Sequence, residues 1–167
     1  MRTRGLGQRS LWLLLPVLAL ALDLLSKAWI LARFSPGDVV PVIPGFFNLT
    51  LGLNPGAIFG FLADSPAAFR IPFFAGVGLA ALGFFGYEFL KEGPSALQRA
   101  ALGLILGGAL GNGYDRVIRG AVVDFLDFVF DGWHYWAFNL ADSFIVCGAI
   151  LLGWSLLRPT RSSLEGG

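Results

Sequence analysis

Four long apolar stretches, each interrupted or ended by a few ionisable residues, set the pattern of this chain. They run over approximately 11–34, 69–90, 97–116 and 137–157. A bilayer core of about 30 Å needs about 20 helical residues, so each stretch predicts a membrane-spanning helix. Between them lie a first loop over 35–68, a short second loop over 91–96 and a third loop over 117–136. In the first loop, VVPVI and FFNLTL read as short strands broken by Pro and Gly, which predicts a small sheet on the outer membrane surface. RPTRSSLEGG, at the end, reads as a frayed polar tail. The expected fold is an all-α membrane protein, a four-helix transmembrane bundle with a small extracytoplasmic β-structured cradle. It forms one integral-membrane domain over 1–160, with a polar tail over 161–167.

Composition strengthens this picture. Of 167 residues, 56% are hydrophobic and only 14% charged, against about 25% in an ordinary soluble domain. Mean hydropathy is +0.71. A net charge of +1 gives no reason to expect nucleic acid or a strongly acidic partner. Cys147 and His134 are the only residues of their kinds, so neither an intrachain disulfide nor a Cys/His metal cluster is possible. No cofactor or metal is expected, and His134 reads as an interfacial residue beside Trp133 and Trp136. Arg2, Arg4 and Arg9 followed by LWLLLPVLALAL look like a signal peptide. However, the apolar run passes through Asp23 and Lys27 into AWILARF without a small-residue cleavage site, which predicts a retained helix.

Lys and Arg set the orientation. Arg2, Arg4, Arg9, Lys91, Arg99, Arg158 and Arg161 make seven on one side, against Arg33, Arg70, Arg116 and Arg119 on the other. The positive-inside rule then places both termini in the cytoplasm and the first and third loops outside. On the third helix Gly103, Gly107 and Gly111 recur every four residues, a row that lets helices approach closely in lipid.

The polar residues cluster by depth. Lys27 lies about 24 Å along the first helix at 1.5 Å per residue, in the outer third of the bilayer, with Asp23 one turn below it. Asn112, Asp115 and Arg116 occupy the outer turns of the third helix, and Asn139 and Asp142 open the fourth. Asn54 and Asp124 sit on the two outer loops. A charge at mid-membrane costs about 2.5–3.5 kcal/mol on insertion scales, so such groups face a bundle interior or a wet cavity. Plainer readings stand beside this one. Asp23 with Lys27 reads equally as a structural ion pair, and Asp115 with Arg116 or Arg119 as a helix-end salt bridge. Asp127 and Asp131 read as surface charges in a solvated loop, and Glu88 as an interfacial charge near Lys91 and Glu92. Asp142 has no Lys or Arg within a turn, so it needs a partner from another element, and Asp124 is the nearest candidate.

Two adjacent carboxylates share a proton, so one can act as general base and the other as general acid without a metal or a nucleophilic side chain. A small transporter or proton channel also suits buried acids, but it favours an internal repeat and polar groups along a whole path. A membrane scaffold would explain the glycine row but not the polar cluster.

Five blocks narrow these alternatives: DLLSK at 23–27, NPGAIFGF at 54–61, GGALGNGYDR at 107–116, GAVVDFLDF at 120–128 and FNLADS at 138–143. In content, order and separation they resemble the lipoprotein signal peptidases (signal peptidase II), bacterial aspartic peptidases of the membrane. The resemblance implies four spans in the bacterial cytoplasmic (inner) membrane, cytoplasmic termini, and an active site near the outer leaflet. It implies cleavage of prolipoproteins before a diacylglyceryl-modified cysteine, with membrane lipids as surroundings and peptide-like inhibitors such as globomycin as ligands. The catalytic aspartates would be Asp124 and Asp142. Asn54, Asn112, Arg116 and Asn139 would bind substrate or orient the dyad, and Asp23, Lys27 and Asp115 would give structural polar support. One departure is Ile58, where the family usually has a smaller residue, which would narrow the cleft beside Asn54.

Overall fold

Leu, Ala, Val and Phe fill the apolar stretches and carry four long helices. These are α1 (Leu14–Leu31), α2 (Ala67–Leu90), α3 (Ala96–Ile118) and α4 (Leu140–Leu157). A computed structural model describes residues 11–56, 61–62 and 64–157. Ile58, the N-terminal arginines and the polar tail lie outside the described residues. Among the helices, α1, α2 and α4 are long and apolar enough to cross a membrane. α3 is not in that group, and it is polar at both ends, with Gln98 and Arg99 in its first turn and Asn112, Asp115 and Arg116 in its last turns. Its start is set by a capping box in which the Ser95 hydroxyl accepts the Gln98 N–H and the Gln98 side chain accepts the Ser95 N–H.

The chain is mostly helical, but the sheet is larger than the first loop alone predicts. β1 (Val39–Ile43), β2 (Phe47–Asn54), β3 (Val122–Phe130) and β4 (Trp133–His134) form one antiparallel sheet in the order β1-β2-β3-β4. The third loop, read from sequence only as a loop over 117–136, therefore supplies two strands. β3 is buried along most of its length, so VVDFLDF lacks the polar–apolar alternation that marks a half-exposed strand. Its turn into β4 is two residues long. Asp131 and Gly132 both have positive φ (48° and 79°) between the paired Phe130 and Trp133, the geometry an Asp-Gly hairpin favours.

The pairing of β2 with β3 contains a bulge. Asn48 faces Asp127 and Leu49 faces Leu126, yet Gly52 faces Asp124, so Thr50 and Leu51 together oppose Phe125. Ile30 of α1 packs with Leu51, Val123 and Phe125 in a buried apolar cluster that seats the sheet on the bundle. The Phe125 and Leu126 N–H groups both donate to the Phe138 carbonyl (2.9 and 2.8 Å), and the Phe138 N–H donates to Leu126 O (3.1 Å). These bonds pin the start of α4 against β3.

The glycine row works as expected and extends further. A Cβ on Gly107 would meet the Ala19 Cβ at 2.6 Å and the Pro16 carbonyl at 2.8 Å, both on α1. One on Gly108 would collide with the Ala141 carbonyl of α4. By contrast, Gly83 on α2 has open space beside it. We expect Gly107→Ala to destabilise the detergent-solubilised protein by about 1–3 kcal/mol through overpacking. Gly83→Ala should be neutral or stabilising by about 0.5–1 kcal/mol. Thermal unfolding midpoints of the two variants check this, and equal shifts would refute the close α1–α3 contact.

Candidate active site

The site is built around a buried lysine. Lys27 Nζ lies 2.8 Å from Asp23 Oδ2 and 2.9 Å from Asp115 Oδ2, and all three side chains are completely buried. Asp23 is one turn back on α1, and Asp115 comes from α3. Each acid also takes a backbone N–H from another element. Asp23 Oδ1 accepts from Ala141 in α4 (2.9 Å), and Asp115 Oδ2 accepts from Val123 in β3 (3.1 Å). Asp115 also pairs with Arg119 rather than with Arg116, since side chains four apart on a helix share a face and adjacent ones do not. Both plain readings made from sequence thus hold, for Asp23 with Lys27 and for Asp115 with Arg119.

The remaining reach of Lys27 goes to Asn112 Oδ1 (3.1 Å). That bond fixes which way the Asn112 amide points, and its Nδ2 donates to Asp142 Oδ1 (2.8 Å). Asn139 is the second organiser. Its Oδ1 accepts the Asp142 N–H (2.9 Å), and its own N–H lies 3.3 Å from Asp142 Oδ2. This reciprocal pair has the form of a capping box, with Asp142 in the first turn of α4. The Asn139 Nδ2 donates to Asp124 Oδ1 (2.7 Å) and to Asn112 Oδ1 (3.2 Å). One asparagine therefore touches both Asp124 and Asp142.

Asp124 Oδ2 accepts from Asn54 Nδ2 at the end of β2 (3.1 Å). Asn54 is held in turn by the Gly56 N–H, which donates to its Oδ1 (3.0 Å). Arg116 donates from one terminal nitrogen to the Asn112 carbonyl (3.2 Å) and from the other to the Gly56 carbonyl (2.9 Å). These groups line a cavity of about 600 Å³. Asn54, Asn112, Arg116, Asp124 and Asp142 form its polar wall. Phe74 and Val77 of α2, Ala109 of α3 and Val146 of α4 form its apolar walls. Every residue expected at the site from sequence is thus on the cavity wall, in the charge network behind it or, for Asn139, hydrogen-bonded to the acids of the wall.

Asp124 is only 5% exposed. Burial raises its pKa from the usual 3.8 to about 7, and the charge of Asp142 adds to the rise, while the Asn54 and Asn139 amides oppose it. No group of three or more His, Cys, Asp or Glu side chains suited to a metal occurs among the described residues.

Asp127 corrects the sequence reading. It is not a solvated surface charge but is 4% exposed. Its Oδ2 accepts from Asn48 Nδ2 (2.8 Å), and its carboxylate lies 2.9 Å from His134 Nδ1. His134 itself is exposed and joins β4 to β3 through this contact. Asn48 and Gly56 are contributors that sequence reasoning missed. Asp131 is exposed, as expected, but serves as a turn residue. Glu88 pairs with Lys91 at the far end of α2, away from the cavity.

Comparison with known proteins gives concordant matches. The family model described as signal peptidase (SPase) II matches residues 15–158. The lipoprotein signal peptidase of Chromobacterium violaceum is 42% identical over 152 residues, covering 90% of this chain and 93% of that protein. That of Yersinia pseudotuberculosis serotype O:1b is 45% identical over 142 residues, covering 84% and 83%. Two solved structures of bacterial membrane enzymes, determined by the in meso method, superpose with TM-scores of 0.79 each. They are 34% and 32% identical, and cover 92% and 93% of this chain and 89% and 96% of their own.

The buried network makes its own prediction. Lys27→Met would remove the cation that bridges Asp23 and Asp115 while leaving both acids buried. We expect a loss of about 3–5 kcal/mol, the usual cost of stranding a buried charge. Unfolding of the purified variant measures this, and a wild-type midpoint would show that the network carries no structural weight.

Proposed function

The chain belongs to the signal peptidase II family, and from that premise we propose that Asp124 and Asp142 are its catalytic acids. It is a membrane protease that removes signal peptides from prolipoproteins. The observation that carries the assignment is the contact of Asn139 with both carboxylates at the wall of one cavity.

The two acids differ in environment, and the difference suggests their roles. Asp142 sits in the first turn of α4 and accepts a hydrogen bond from the Asn112 amide. Asp124 is buried beside it and holds a proton up to about pH 7. Asp142 then takes a proton from water as the resulting hydroxide attacks the scissile carbonyl carbon. Asp124 gives its proton to the carbonyl oxygen, forming a neutral tetrahedral diol. On collapse, Asp142 returns its proton to the leaving amine, Asp124 recovers one from the diol, and the C–N bond breaks. Asn54, Asn112, Arg116 and Asn139 hold the acids and the substrate backbone. Asp23, Lys27 and Asp115 fix the helices behind them.

In this reading all four helices cross the bilayer, α3 included. Its polar last turns point at the Lys27 network rather than at lipid, which makes the crossing tolerable. Both termini lie in the cytoplasm, and the site lies near the outer leaflet of the bacterial inner membrane. The leaving amine belongs to the diacylglyceryl-modified cysteine, and the apolar walls accommodate the lipidated substrate. Peptide-like inhibitors such as globomycin would compete for the same cavity, and the reaction needs no cofactor. Residues 1–160 act as one peptidase domain.

Two outcomes are expected. Asp124→Asn and Asp142→Asn should each lower turnover of a purified lipid-modified prolipoprotein by at least about a hundredfold. Normal processing by both variants would end the assignment. The pH profile gives an independent check. Because the raised pKa keeps Asp124 protonated below about 7, activity should hold on the acid side of that value and fall as pH rises through it. The Asn54 amide favours the ionised form, so Asn54→Leu should move this alkaline limb to higher pH. A limb that stays in place or moves down would contradict the role given to Asp124.

A further inference from the structure

The guanidinium of Arg116 is held without a carboxylate. Among the described residues it forms no ion pair, its two terminal nitrogens donate to backbone carbonyls, and its buried Nε has no hydrogen-bond partner. What covers it is an aromatic face. Its central carbon lies 5.0 Å from the centroid of the Phe74 ring on α2. A cation within about 6 Å of a ring centroid is attracted by the ring quadrupole, and more strongly when desolvated.

The contacts continue from Arg116 toward the reacting groups. Arg116 holds the Gly56 carbonyl, the Gly56 N–H holds Asn54 Oδ1, and the Asn54 amide nitrogen donates to Asp124 Oδ2. Each step in this series constrains the next. We propose that Phe74 is a positioning residue for the peptidase reaction, its ring face anchoring Arg116 so that Gly56 and Asn54 present a correctly aimed amide to Asp124. The proposal rests on the reading of Asp124 as a catalytic acid. It gives α2, which packs chiefly on α3, a part in the chemistry beyond lining the cavity.

The alternative is that Phe74 is simply a hydrophobic wall that touches substrate, and the two roles separate in steady-state kinetics. Incorporating pentafluorophenylalanine at position 74 keeps the ring outline but removes the negative π face. It should lower kcat by about tenfold, the effect of losing roughly 1.4 kcal/mol of positioning, while KM stays within about twofold. Phe74→Leu should do the same, and Phe74→Tyr, which keeps the ring face, should stay near wild type. The assay is cleavage of a lipid-modified prolipoprotein by the full-length enzyme in detergent, with Asp124→Asn run alongside. If the fluorinated enzyme matches wild type while Asp124→Asn is inactive, the role of Phe74 is overturned and the site reading stands. A rise in KM at constant kcat, or a fall in kcat that tracks loss of folded protein, also overturns it. If Asp124→Asn is fully active, the site reading fails and takes this proposal with it.

Discussion

Everything near the cavity is referred to one lysine ammonium that has no contact with solvent. Lys27 carries one positive charge between the carboxylates of Asp23 and Asp115, and all three are fully buried. Moving such groups out of water costs several kcal/mol per ion, recovered only if the geometry is good and the remaining polar atoms are satisfied. Here they are satisfied by other elements. The Ala141 N–H arrives from α4, the Val123 N–H from β3, and the Asn112 amide from α3. Three helices and a strand must therefore meet at one point for the charges to be tolerable. In lipid, where apolar packing between helices has little preference, such a polar knot supplies the specificity that a hydrophobic core supplies in water.

Asn139 carries that order from structure to chemistry. Its side chain starts α4 by accepting the Asp142 N–H, and its amide nitrogen reaches Asp124 and Asn112. The helix begins at this residue because β3 grips the preceding Phe138 through backbone bonds. Helix initiation and carboxylate placement are consequently one event. A change that frays the first turn of α4 would also disperse the acids.

Much of this was legible in the chain itself. Long apolar runs located all four helices to within a few residues, because lipid demands length and composition above all. The polar clusters on α1, α3 and α4 were also legible, since helical spacing and rise fix their depth. The preference of Asp115 for Arg119 over Arg116 follows from helix geometry alone. What escaped was information that depends on distant pairing. β3 is buried on nearly its whole length, so its hydrophobic run carried no strand period, although Asp131-Gly132 was a readable hairpin signal. Burial of Asp127 depends on Asn48, 79 positions away, and no local pattern announces it. The latch between Arg116 and Gly56 spans 60 positions and is equally silent.

The bulge at Thr50 and Leu51 has a consequence for the chain's permitted length. Side chains on a strand alternate between faces, and one extra residue on β2 exchanges the faces midway. Because of it, a single sheet presents an asparagine–aspartate pair in each direction, Asn54 with Asp124 toward the cavity and Asn48 with Asp127 on the reverse side. Deleting either bulge residue would leave a regular ladder in which one of these pairs looks the wrong way. Over this stretch the number of residues is therefore under as tight a constraint as their identity, and natural variation should substitute here far more readily than it inserts or deletes.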